Sequence, residues 1–184
     1  MKKTVLAIAT LCVVAALAVM PSCKKKDSST VTMTLYDSLG GTTMVADPSN
    51  SGQMIEKGRL GLRSVVDSTI FIIAADTSLN KFFPVLLAEV TSSNLSGFTA
   101  LSKNLTDFFC VATGAKNFTY SGKTMTAAHD PAQNPRMNGK AASADFDKFV
   151  VDLVAGAHKC GLSDQLIGQV GAVVNTTKTQ VVQK

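Results

Sequence analysis

Tyr120-Ser-Gly-Lys-Thr-Met-Thr-Ala-Ala-His129 is the stretch on which the reading of this chain turns. It closes on one of only two histidines among 184 residues. Gly122 interrupts the backbone pattern, and a short helix after it can aim His129 inward. Upstream, Phe98, Leu101, Leu105, Phe108, Phe109 and Ala112 recur at spacings of three and four, the signature of one helix face. Ser96-Gly97 is expected to cap that helix, and Gly114 to stop it.

The same periodicity continues downstream. Phe146, Phe149, Val150, Leu153, Val154 and Ala157 form a face that Ser143 is expected to cap and Gly161 to end, with Asp145 in the first turn. Ser163 caps a further helix carrying Leu166, Ile167, Val170, Val173 and Val174. Towards the N-terminus, Val65 to Asp76 is rich in β-branched residues, which favour strand. The run is too long and too uniformly apolar for a half-exposed strand, so a buried helix is predicted, followed by a short turn through Leu79, Phe82, Phe83 and Pro84. Two segments resist a helical reading: Ala46 to Gly58, with Pro48 and Gly52, and Asp130 to Ala142, with two prolines. Both are read as loop insertions, and no hairpin is expected. The fold class is all-α.

Composition narrows the function. Hydrophobic residues make up 46% and charged residues 17%, which suits a globular core and excludes a disordered chain. Met1-Lys2-Lys3, an apolar run from Thr4 to Met20, and then Pro21-Ser22-Cys23 read as a secretory leader. The arrangement resembles a bacterial lipoprotein signal, with cleavage before Cys23 and lipid on its sulfur; an uncleaved anchor is the alternative. Both leave the domain tethered outside the cytoplasm, on the periplasmic side or the outer membrane. The expected organisation is a signal peptide at 1–22, a lipidated Cys and polar linker at 23–33, and a domain at 34–184. The formal charge of +5 falls by two when Lys2 and Lys3 leave. No basic stripe interleaved with aromatics appears, which disfavours nucleic acid. Cys12 lies in the leader, and Cys110 and Cys160 sit in apolar helical patterns; whether they pair is open. No Cys-x-x-Cys-His occurs, so covalent c-type haem attachment by that motif is excluded.

Taken in order, these pieces resemble the group I truncated haemoglobins. Leu35-Tyr36-Asp37-Ser38-Leu39-Gly40-Gly41 is similar to the family's opening. Val65-Val66-Asp67, Ala75-Asp76, Leu79 and Phe82-Phe83 are similar to its second helix and exit. Phe108-Phe109, Ala112-Thr-Gly114, Tyr120-Ser-Gly122 and Met125 to His129 are similar to the approach to its proximal histidine. The resemblance spans Thr34 to Val174, apart from the two loops. It implies a two-over-two helical sandwich around haem b, with His129 on the iron. It also implies that Phe83 packs on the haem face and that Phe108 and Phe109 border the haem. Met125 would touch the proximal side, Tyr120 would lie near the propionates, and Phe149 would line the floor. The distal positions depart from the family. Ile70 stands where many relatives have tyrosine, and Leu101 and Leu105 where polar partners are common. A site without a donor forfeits a charge-assisted hydrogen bond to partly anionic oxygen, so fast oxygen loss and better retention of carbon monoxide or nitric oxide are expected. The remaining donors nearby in sequence are Lys103, Asn104 and Tyr120. His158, near a helix end, reads as a surface residue.

Two functions from different classes follow. One is a tethered haem protein that binds oxygen, nitric oxide or carbon monoxide, with nitric oxide dioxygenase or redox activity, and an unidentified redox partner, left open. The other is a helical lipoprotein that acts as an interaction module without haem. A hydrolase is disfavoured, because no Gly-x-Ser-x-Gly or His-Glu-x-x-His motif is present.

Overall fold

The computed structural model describes residues 32–184. The expected leader, Cys23 and most of the linker lie outside the described residues. In chain order the elements are α1 (Leu35–Ser38), β1 (Met44–Ala46), β2 (Met54–Glu56), α2 (Lys57–Ala75), a 3-10 turn (Asn80–Phe82) and α3 (Pro84–Thr91). They continue with α4 (Ser96–Ala112), α5 (Met125–His129), α6 (Ser143–Lys159), α7 (Asp164–Asn175) and α8 (Lys178–Val181). The all-α expectation holds for every long element. None of the helices among the described residues is long and apolar enough to cross a membrane.

α2 is the central helix. It packs against α4 on one side and α6 on the other, and α6 packs on α7. Local propensity in α2 favours strand, yet Leu62, Val65, Val66, Thr69 and Ile70 recur at helical spacing and are all buried. Burial of that face outweighs the weak β preference. The Thr69 hydroxyl is buried without cost to the core because it donates to Val65 O at 2.8 Å within its own helix. α2 and α6 approach closely at Gly156, where a Cβ would stand 2.5 Å from Thr69 Oγ1 and 3.0 Å from its backbone N. Only glycine lets the two backbones come this near.

Several local expectations need correction. Ala46 to Gly58 is not a plain loop. Met44–Ala46 and Met54–Glu56 pair antiparallel as a hairpin, with Val45 opposite Ile55, and α2 begins at Lys57. The strands have three residues each, too short for alternation to show in sequence. The N-caps fall one residue earlier than read. α4 is entered from Leu95, and α6 from Ala142, whose N–H donates to Asp145 Oδ2 at 2.8 Å. α3, with Pro84 at its first turn, lies where only a turn was expected. Ser163 caps α7 as read, accepting from Leu166 N, and Gly114 (φ +99°) and Gly161 (φ +76°) follow the ends of α4 and α6. The second insertion, 130–142, is irregular as expected. It is pinned to the rest by Asn138, whose N donates to Phe82 O at 3.0 Å, and by Arg136, which holds Glu89 of α3 with both guanidinium nitrogens.

Candidate functional site

α4 carries two stripes rather than the single face read from sequence. Ser102, Thr106, Phe109, Cys110 and, just past the end, Thr113 are buried. Phe98, Leu101, Leu105 and Phe108 form the neighbouring stripe and stay half-buried against the core. Phe109 therefore belongs to the core proper. It borders a residual void of about 10 Å³ together with Leu62, Val65, Val66, Leu162 and Val170. Ala112 is exposed and joins neither stripe. Four large apolar side chains aligned on one helix, half-covered by protein, make a wall suited to a flat apolar ligand.

The segment into α5 attaches to that wall through Tyr120. Its ring meets Phe108 edge-on at 5.9 Å, and Phe108 meets Phe109 edge-on at 5.4 Å. The Tyr120 hydroxyl turns back to donate to Lys123 O at 2.6 Å. Gly122 permits this fold, since a Cβ there would stand 2.5 Å from the Tyr120 hydroxyl. This explains the Tyr-Ser-Gly-Lys spacing: a ring that must lie over its own turn needs glycine beneath it.

α5 is a single turn, too short to persist on its own. Neighbours hold it instead. The Thr124 hydroxyl accepts from Ala127 N at 3.2 Å, Asn134 Nδ2 donates to Ala128 O at 2.7 Å, and Gln183 Nε2 donates to Thr126 O at 3.0 Å. Asn134 and Gln183 carry no signal in the sequence, because their partners are defined only by the fold. His129 closes the helix and is partly buried. Its Nδ1 lies 2.8 Å from Met125 O. A carbonyl only accepts, so Nδ1 carries the hydrogen and Nε2 presents the lone pair. Burial holds the imidazole below its usual pKa, against the hydrogen bond to Met125 O, which works in the opposite direction. The neutral, metal-ligating form is thereby favoured.

The other expected site residues are placed as follows. Ile70 is buried in α2, and Leu101 and Leu105 lie half-buried on α4. Phe149 lies half-buried on α6, 6.3 Å from Phe146, and Phe83 is half-buried where the 3-10 turn enters α3. Met125 opens α5, and its carbonyl accepts from His129 Nδ1. Two of the three alternative donors are engaged elsewhere: Lys103 with Asp107 at 2.6 Å, and Tyr120 with Lys123 O. His158 is exposed at the end of α6, 3.7 Å from Asp164, as a surface residue. Cys110 and Cys160 are both free thiols. Burial raises the Cys110 thiol to about 11, which makes it inert.

No family model matches this chain, and no curated protein matches it. Solved structures do. Truncated haemoglobin from Tetrahymena pyriformis in the Fe(III) form is 22% identical, with a TM-score of 0.56. The 2/2 haemoglobin from Synechococcus sp. PCC 7002, in the cyanomet state with covalently attached haem, is 21% identical, with a TM-score of 0.57. Each match covers 83% of this chain and 100% of the other. The fold is that of the truncated haemoglobins.

Proposed function

We propose that this protein is a group I truncated haemoglobin in which His129 Nε2 would hold the iron of haem b, with a diatomic gas as ligand. The observation that carries the reading is the His129 ring: neutral, partly buried, with Nδ1 committed to Met125 O and Nε2 free. Haem iron brings four nitrogen ligands of its own and asks the protein for one more. The residues fit that demand. No three His, Cys, Asp or Glu side chains converge on a metal site among the described residues. One histidine with a free Nε2, on a segment tied through Tyr120 to a half-buried apolar stripe, suits iron that arrives inside a flat apolar ring. When bound, haem supplies the iron on which a gas is held, and the chain's own residues do the rest.

Their work divides in two. His129 orients and donates, with its ring fixed by the Met125 carbonyl, as an outer partner fixes a metal-bound imidazole. Leu101, Leu105, Phe108 and Phe149 exclude water from a ring of their own polarity. Ile70, Leu101 and Leu105 offer no proton to a gas, Lys103 and Tyr120 are occupied, and Asn104 is exposed. We therefore read the ligand preference as favouring carbon monoxide or nitric oxide over oxygen. Simple binding fits this side better than nitric oxide dioxygenation, which requires stably held oxygen. The order basic start, apolar run and Cys23 supports a lipidated, extracytoplasmic placement, with the residues after Cys23 as spacer.

Titration of the purified protein with haemin tests the reading. A Soret band that saturates at one haem per chain is expected, and His129→Ala should lose it or shift it to that of unligated haem. A protein that takes up no haem would support the interaction module instead.

A further inference from the structure

The five-residue helix that bears His129 is held near its start by a residue from far along the chain. Gln183 follows α8, and α8 packs directly on α5. The side-chain amide of Gln183 donates to Thr126 O at 3.0 Å, inside the first turn of α5. Its backbone N donates to Ala141 O at 2.9 Å, at the far end of the loop that leaves His129. Next to it, Val182 bridges Ala141 in parallel register. One residue thus ties the start of α5 to the end of the segment that follows it.

A second observation separates this from incidental packing. Gln183 Oε1 is buried and has no hydrogen-bond partner. For stability alone an apolar side chain would serve better there, because a buried carbonyl oxygen without a partner is costly. The amide is worth having at this position for its donor. That donor reaches Thr126 O, one of the last four carbonyls of α5, which find no partner inside so short a helix.

We propose that Gln183 is a positioning residue for His129: it fixes the axial place and tilt of α5, and so where Nε2 is presented. The proposal rests on the haem reading for its consequence but not for its geometry. Two variants test it, Gln183→Leu, which keeps bulk without a donor, and Gln183→Glu, which keeps shape and sets an acceptor against Thr126 O. In the haem-free full chain, amide exchange at Ala127 and Ala128 should quicken about tenfold in both, the worth of one hydrogen bond, while α4 and α6 amides keep their rates. In the ferrous haem-loaded protein, the iron–histidine stretching band should shift or broaden in both variants, and Gln183→Lys, which restores a donor, should return it towards wild type. Unchanged exchange in α5 overturns the proposal. Faster exchange with an unmoved iron–histidine band overturns it as well, leaving Gln183 a purely structural residue. If wild type binds no haem at all, the functional reading fails, and the exchange experiment still decides whether Gln183 fixes α5.

Discussion

At the scale of single residues, His129 offers one nitrogen to a metal. A histidine whose Nδ1 is spent on a carbonyl can give only Nε2 to a metal, and burial keeps that nitrogen unprotonated. The shift also has a stability consequence. The folded pKa lies below the ordinary 6.5, so between the two values the unfolded chain binds more protons than the folded one. The contribution is fully present above 6.5 and is lost as pH falls through that value towards the lowered one. Urea midpoints of the haem-free protein between about pH 5 and pH 7 should therefore fall on acidification, and His129→Gln should flatten that slope. If Leu105 faces the gas as proposed, Leu105→Gln would supply the missing donor. Oxygen release, measured by stopped flow, should slow roughly ten- to a hundredfold, as one charge-assisted hydrogen bond would dictate. An unchanged rate would move residue 105 away from the gas.

At the scale of elements, close packing makes glycines informative. Gly156→Ala would drive a Cβ into the Thr69 backbone and should cost about 1–3 kcal/mol in denaturant unfolding. Gly168→Ala in α7 meets nothing within 4 Å and should instead stabilise by about 0.5–1 kcal/mol. The pair is a sharp test, since the same chemical change carries opposite signs. The helical spacing of Phe98 to Phe108 and Phe146 to Ala157 was legible because burial imposes the period directly. That α4 splits into a buried and a half-buried stripe was not legible: Phe108 and Phe109 look alike in sequence, and only the partner helix α2 tells them apart. The β1–β2 hairpin was invisible because three-residue strands show no alternation. α3 is the opposite case, since Pro84 at its first turn is an ordinary start signal. His129 could be singled out, but the groups that hold its helix, Asn134 and Gln183, could not. Side-chain to backbone bonds across many residues leave no local trace.

At the scale of the whole molecule, haem and tether are separable claims. A ligand that binds only the folded state stabilises it by mass action, about 2.7 kcal/mol at a hundredfold excess over Kd. Added haemin should therefore raise the melting temperature of wild type and leave His129→Ala nearly unmoved, as differential scanning fluorimetry or calorimetry would show. The tether has its own test. Cys23→Ser should move the protein from the membrane fraction to the soluble fraction of cells without altering its haem spectrum. The central claim, that His129 itself ligates iron, is tested most directly by chemical rescue. His129→Gly leaves space where the imidazole stood. The account predicts that this variant acquires the wild-type ferrous haem spectrum only when free imidazole is supplied. A wild-type ferrous spectrum in His129→Gly without imidazole would contradict it.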